Sequence, residues 1–170
     1  YLSGGLSVIV GDNQGNLTHW FPVRGAGNIA SLRKIREFIP MDGAVVDIAA
    51  EYDRKGFGVI DQEGNLSLYH ATAERRVFAG KLGTQSLSDG INFSPRADAL
   101  AFRSENGSIG MVEVRNEHPE VSFSVLWREV WYESRDKPLY IWQSSASNND
   151  FEPKFSLTPL AYGTLKATFY

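Results

Sequence analysis

The sequence predicts an all-β fold built from short antiparallel units that repeat along the chain, and three observations predict it. One turn pattern occurs three times, as "DNQGNLTHWFPV" from residue 12, "DQEGNLSLYHAT" from residue 61 and, more loosely, "SENGSIGMVEVR" from residue 104. The turn glycines Gly15, Gly64 and Gly107 stand 49 and 43 residues apart, close to the roughly 40 to 50 residues of a propeller blade. Short apolar runs precede each turn ("LSVIV", "FGVI", "ALAF") and alternating stretches follow it ("NLSLYHA", "SIGMVEV"), as half-buried strands require. The expectation is a partial β-propeller-like array of about three four-stranded antiparallel blades over residues 1–136, followed by a connector over residues 137–170.

Each turn justifies itself by residue choice. Asp12, Asp61 and Ser104 sit three positions before the glycines. That is the pattern of a type I turn, with a side chain able to bond the backbone at the first position and a glycine free to take positive φ at the fourth. Outward from the turns, "VVDIAAEYD" and "INFSPRAD" supply a preceding strand, and "RRVFAGKL" and "VSFSVLW" a following one. The first unit lacks its leading strand. The segment "SLRKIREF", residues 31–38, alternates poorly and could form a short basic helix, but its place in the repeat predicts an outer strand.

A blade cannot bury both of its faces alone, and closed propellers have about 4 to 8 blades. The expectation is therefore that further blades lie upstream or that another copy covers the open blade edges by self-association. A seven-stranded sandwich is the alternative architecture. The segment "FSPRADALAFRSENGSIGMVEV" resembles a WD40-like repeat, with "VEV" where that family ends in Trp-Asp.

Composition narrows the function classes. With 42% hydrophobic and 22% charged residues the chain can bury one good-sized core. A net charge of −3 gives no general attraction to nucleic acid. There is no cysteine, so neither a disulfide framework nor a thiolate metal site can form.

Motifs of catalytic type are weak. "GAGNIAS", Gly25 to Ser31, matches a dinucleotide fingerprint in form, yet that reading needs a βαβ unit and the chain offers hairpins. Ser31 and Lys34 have a Ser-x-x-Lys spacing, without the companion motifs such a nucleophile needs. His19, His70 and His118 are scattered, and His19 and His70 fall on comparable strands, where they read as face or edge residues. Asp12 and Asp61 read as turn formers. The expectation is a protein without a catalytic, cofactor or metal site. Aromatic usage says more: Trp127, Trp131 and Trp142 lie within 16 positions, interleaved with Tyr132 and Tyr140. Such rings suit a boundary between apolar and wet surroundings, either packing the tail onto the last blade or facing a partner. Exposed loops 24–31 and 53–57 are further candidates for contact.

At the C-terminal end, "LTPLAYGTLKATFY" opens with Thr158 as an expected N-cap and Pro159 at the first helical position. It grows more apolar toward Tyr170, as a membrane helix entered from the water side would. "VWYESRDKPLYIWQSSA" followed by "DFEPKFSLTPLAYGTLKATFY" resembles the segment leading into the second transmembrane helix of a phosphate-specific ABC transporter permease, the PstC-type subunit of its larger bacterial variety. The resemblance covers residues 130–170. It implies a periplasmic insertion domain of an inner-membrane permease, with a partner permease subunit, a periplasmic phosphate-binding protein and a cytoplasmic ATPase as its partners. It brings no phosphate site, because no such motif is matched here.

Overall fold

A computed structural model describes residues 1–2, 7–52, 55–82, 87–104, 106–115, 120–133, 135–142 and 154–169. Among these, ten strands form three antiparallel sheets with no closed barrel. The first sheet has the order β1 (Val8–Gly11), β2 (Leu17–Arg24), β3 (Ala30–Glu37). The second is β4 (Val45–Ala50), β5 (Gly56–Asp61), β6 (Asn65–His70), β7 (Arg75–Lys81). The third is β8 (Leu87–Phe93), β9 (Ala99–Ser104), β10 (Ile109–Glu113). Every neighbouring pair is antiparallel. The all-β expectation is met at this level.

The three repeated turns share one geometry. Gly15, Gly64 and Gly107 all have φ near +80°, at 84°, 78° and 82°, a conformation in which the Cβ of an L-residue crowds a backbone carbonyl oxygen and glycine, lacking a Cβ, meets no clash. In each, the glycine N–H donates to the carbonyl three residues back, at 3.2, 3.1 and 2.9 Å for Asp12, Asp61 and Ser104. The Asp12 carboxylate accepts from the N–H groups of Gln14 and Asn16 and from the Asn16 amide. Asp61, which is buried, repeats that set with Glu63 and Asn65 and adds the N–H of Gly43. In the third turn the Asn106 side chain accepts from the Ser108 N–H instead.

Residues 31–37 of "SLRKIREF" are a strand, and the pairing explains their poor alternation. Between His19 and Trp20 the register shifts, His19 facing Arg36 and Trp20 facing Lys34. Ile35 is the extra residue of a β-bulge, so Ile35 and Arg36 are both buried although adjacent in sequence. Residues 25–29 of the "GAGNIAS" stretch are the loop of this β2–β3 hairpin, closed by a short 3-10 turn over Ala26–Asn28, and the last two residues of the stretch already pair in β3. The antiparallel pairing removes the parallel unit that a dinucleotide site needs.

Two expectations fail. "VSFSVLW" supplies no fourth strand to the third unit: Phe123–Trp127 form a helical turn, α1. Ser122 is extended and its Oγ accepts from the Val125 N–H, an N-cap that competes with the strand ladder, while Val125 is buried against Ala73, Val130 and Tyr132. The second failure is smaller. Helix α2, Thr158–Thr168, is capped by Leu157 rather than Thr158, and Pro159 occupies its second position. Thr158 Oγ1 donates to the Trp127 carbonyl at 3.1 Å, so its hydroxyl ties α2 to α1. Among the described residues no helix is long and apolar enough to cross a membrane.

The sheets stack face on face. Leu17, Phe38 and Met41 of the first unit meet Phe57, Val59 and Tyr69 of the second. The Phe38 ring stands edge-on to Phe57 at 5.0 Å, and Phe57 stacks on Tyr69 at 5.2 Å. On its other face the second sheet places Ile60, Leu66 and Leu68 against Ile91 and Leu100 of the third. Gly58 permits this approach, since a Cβ there would come within 2.8 Å of Leu100 Cδ1. Asp47 of β4 spans the same gap, its Oδ2 accepting from the Ile91 N–H at 2.8 Å.

Candidate functional site

The densest polar constellation lies where the first two sheets meet the C-terminal segment. β2 carries His19, fully buried, at the position that Leu68 occupies in the second unit. β3 carries Arg36, turned inward by the bulge. Ser7 precedes β1, Lys55 precedes β5, and Glu74 sits at positive φ in the β6–β7 turn. Residues 131–133 insert among them. Glu133 Oε1 accepts from Ser7 Oγ at 3.0 Å and lies 3.4 Å from His19 Nε2. Its Oε2 meets Lys55 Nζ at 2.7 Å.

Arg36 completes the network. Nη1 donates to His19 Nδ1 at 3.0 Å, Nη2 donates to the Trp131 carbonyl, and Nε faces Glu74 Oε1 at 3.5 Å. A guanidinium has only donors, so His19 Nδ1 accepts and its proton belongs on Nε2, directed at Glu133. Burial pushes the Glu133 carboxyl up, but hydrogen bonds from His19 and Lys55 and the charge of Lys55 outweigh it and hold Glu133 at about 2, against an ordinary 4.5.

A carboxylate held that low is a poor proton acceptor near neutrality, and both of its oxygens are occupied. The arrangement suits an electrostatic latch: one charged group from the C-terminal segment, neutralised by a cation from the second unit and oriented by two neutral donors from the first. Apolar packing flanks it on both sides. Trp131 covers Phe21, Val23 and Ile35 of the first sheet, and Val125, Val130 and Tyr132 cover Ala73 of the second.

The three tryptophans separate accordingly. Trp131 is half-buried in the latch, with Nε1 donating to the Arg135 carbonyl at 2.9 Å. Trp127 and Trp142 are exposed beside the start of α2: Trp142 bridges to Phe155, its ring edge-on at 6.4 Å, and Leu157 N–H donates to the Leu126 carbonyl at 2.7 Å.

The other sequence candidates do not converge. Lys34 pairs with Glu37 on the exposed side of β3, apart from any nucleophilic arrangement with Ser31. His70 is buried and accepts from the Ala73 N–H through Nδ1 at 3.3 Å. His118 and loop residues 53 and 54 lie outside the described residues. Among the described residues no three His, Asp or Glu side chains gather as metal ligands would. Ser7, Arg36 and Glu133 belong to no motif and sequence reasoning missed them; Lys55 lies in the loop 53–57 expected to be exposed, but it pairs with Glu133 and Phe57 is buried in β5. One signal pointed their way: His19 replaces the apolar residue found at the same repeat position, Leu68 and Met111, in the other two units.

No family model matches the chain, and no curated protein is significantly similar to it. What the fold and site define is a class: stacked antiparallel sheets with a charged latch that fastens the C-terminal segment to them.

Proposed function

We propose that the chain is a non-catalytic periplasmic domain of a phosphate-specific ABC transporter permease, a docking or regulatory element for phosphate uptake. The observation that carries the reading is helix α2. It bears "TPLAYGTLKAT", buries none of its residues, and leaves Leu160, Tyr162 and Leu165 exposed. An isolated helix of this length and apolar exposure has little reason to be stable in water, whereas a helix continuing into a bilayer does. The latch supports the same reading, because it joins the sheets rigidly to the segment from which α2 departs. Exposed Trp127 and Trp142 beside that point suit the interfacial zone of a membrane. On this reading the sheets form part of a propeller-like domain whose loops meet the phosphate-binding protein, and phosphate passes through membrane parts of the permease.

The test compares the intact transporter with and without residues 1–136, scoring recovery of the binding protein and phosphate uptake. The reading expects both to fall while the permease still reaches the membrane. Unchanged association and uptake would remove it. A second reading, a freestanding propeller-type interaction module unrelated to transport, rests on the open sheet faces. It requires the encoded protein to turn hydrophilic after Tyr170, whereas the permease reading requires about 20 apolar residues that begin near Leu160 and continue past Tyr170.

A further inference from the structure

Aligning the units on their turn glycines places Leu17, Leu66 and Ile109 at one position, two after the glycine, and His19, Leu68 and Met111 at another, four after it. In the first two sheets these positions are sealed: Leu17 and Leu66 are 1% and 0% exposed, His19 and Leu68 0% and 5%. In the third, Ile109 and Met111 are 79% and 70% exposed. The pleat puts them on the face of the third sheet that points away from the second. Beside Ile109 a shallow groove runs between Gly90, Asn92, Ala101, Phe102 and Arg103.

The first sheet shows the complementary situation. Val10 stands where Val59 stands in the second unit, five before the glycine, and is 44% exposed against 0%. Trp20 stands where Tyr69 does and is half-buried where Tyr69 is sealed. Val8, Val10, Thr18 and Trp20 thus form the kind of face that, in the second and third sheets, receives the preceding sheet.

We propose that these two faces are the halves of one interface, and that the third sheet is covered by the first sheet of a second copy of this chain, head to tail. Each face repeats an interface the chain already makes twice within itself, with Trp20 as the large side chain facing the groove. Head-to-tail association either closes into a ring or runs on as a filament. Two copies of three sheets give six, within the about 4 to 8 at which radially stacked sheets close. This inference does not depend on the transport reading.

The experiment measures the mass of the purified 170-residue chain by sedimentation across a concentration series. The expected result is a dimer in the parent, and monomers for Val10→Glu and for Ile109→Glu/Met111→Glu, each with an unchanged circular dichroism spectrum because the substituted side chains are exposed. Mixing the two variants should restore a one-to-one complex, weaker than the parent dimer, because each retains the face the other has lost. A parent that is monomeric at every concentration overturns the proposal, as does a dimer indifferent to these substitutions or a mixture that stays monomeric.

Discussion

At the scale of single residues, the charge state of Glu133 governs the latch. Its folded value of about 2 lies below the ordinary 4.5, so its contribution to stability is fully present above about pH 4.5 and is lost as pH falls through 2. A depression of that size corresponds to about 3 kcal/mol. Glu133→Gln leaves Lys55 and the His19 Nε2 proton without their anion, and should lower unfolding stability at pH 7 by about 3 kcal/mol. Urea midpoints of the two proteins should converge as pH approaches 2, and a gap independent of pH would contradict the assignment. The sequence could not announce this group. Ser7 and Glu133 are 126 positions apart, and a glutamate in the mixed-charge stretch "REVWYESRDK" reads as surface. Only His19 departed from its repeat in a way that marked a buried polar site.

At the scale of elements, the hairpins were legible because their causes are local. An Asp or Ser three before a glycine specifies the turn whatever lies around it, and the Gly15, Gly64 and Gly107 turns share the same bond and the same φ. The turn from Ser94 to Ala97 uses the same i to i+3 bond without a glycine. Ala97 has φ of 55° there, and Ser94 Oγ donates to Asp98. Ala97→Gly relieves the left-handed strain, less the extra freedom glycine gains when unfolded, and should stabilise the protein by up to about 1 kcal/mol in thermal or urea unfolding. Destabilisation would show that the alanine methyl makes packing worth more than the strain. Elements fixed by partners far away were less legible. The bulge at Ile35 disguised β3 as a candidate helix, since it breaks alternation to bring Arg36 inward. α1 carries the alternation of a strand, and became a helical turn because Ser122 caps it and Val125 has a ready-made apolar contact at Ala73.

At the scale of the whole molecule, among the described residues three sheets in series bury the faces between them and leave an outer face partly or largely exposed at each end. The C-terminal segment closes the wedge between the first two and sets where α2 begins, through Thr158 on the Trp127 carbonyl and Leu157 on Leu126. On the docking reading proposed above, forces on the loops would reach the rest of the chain only through a stiff joint of this kind. The central claim is that Glu133 fastens this segment to the sheets. Hydrogen exchange on the parent and on Glu133→Gln tests it most directly. Amides of residues 125–132 and 157 should lose at least about tenfold more protection than those of β5 and β6, whose loss follows the fall in global stability alone. Equal loss across the strands and the C-terminal segment, or no loss at either, would contradict it.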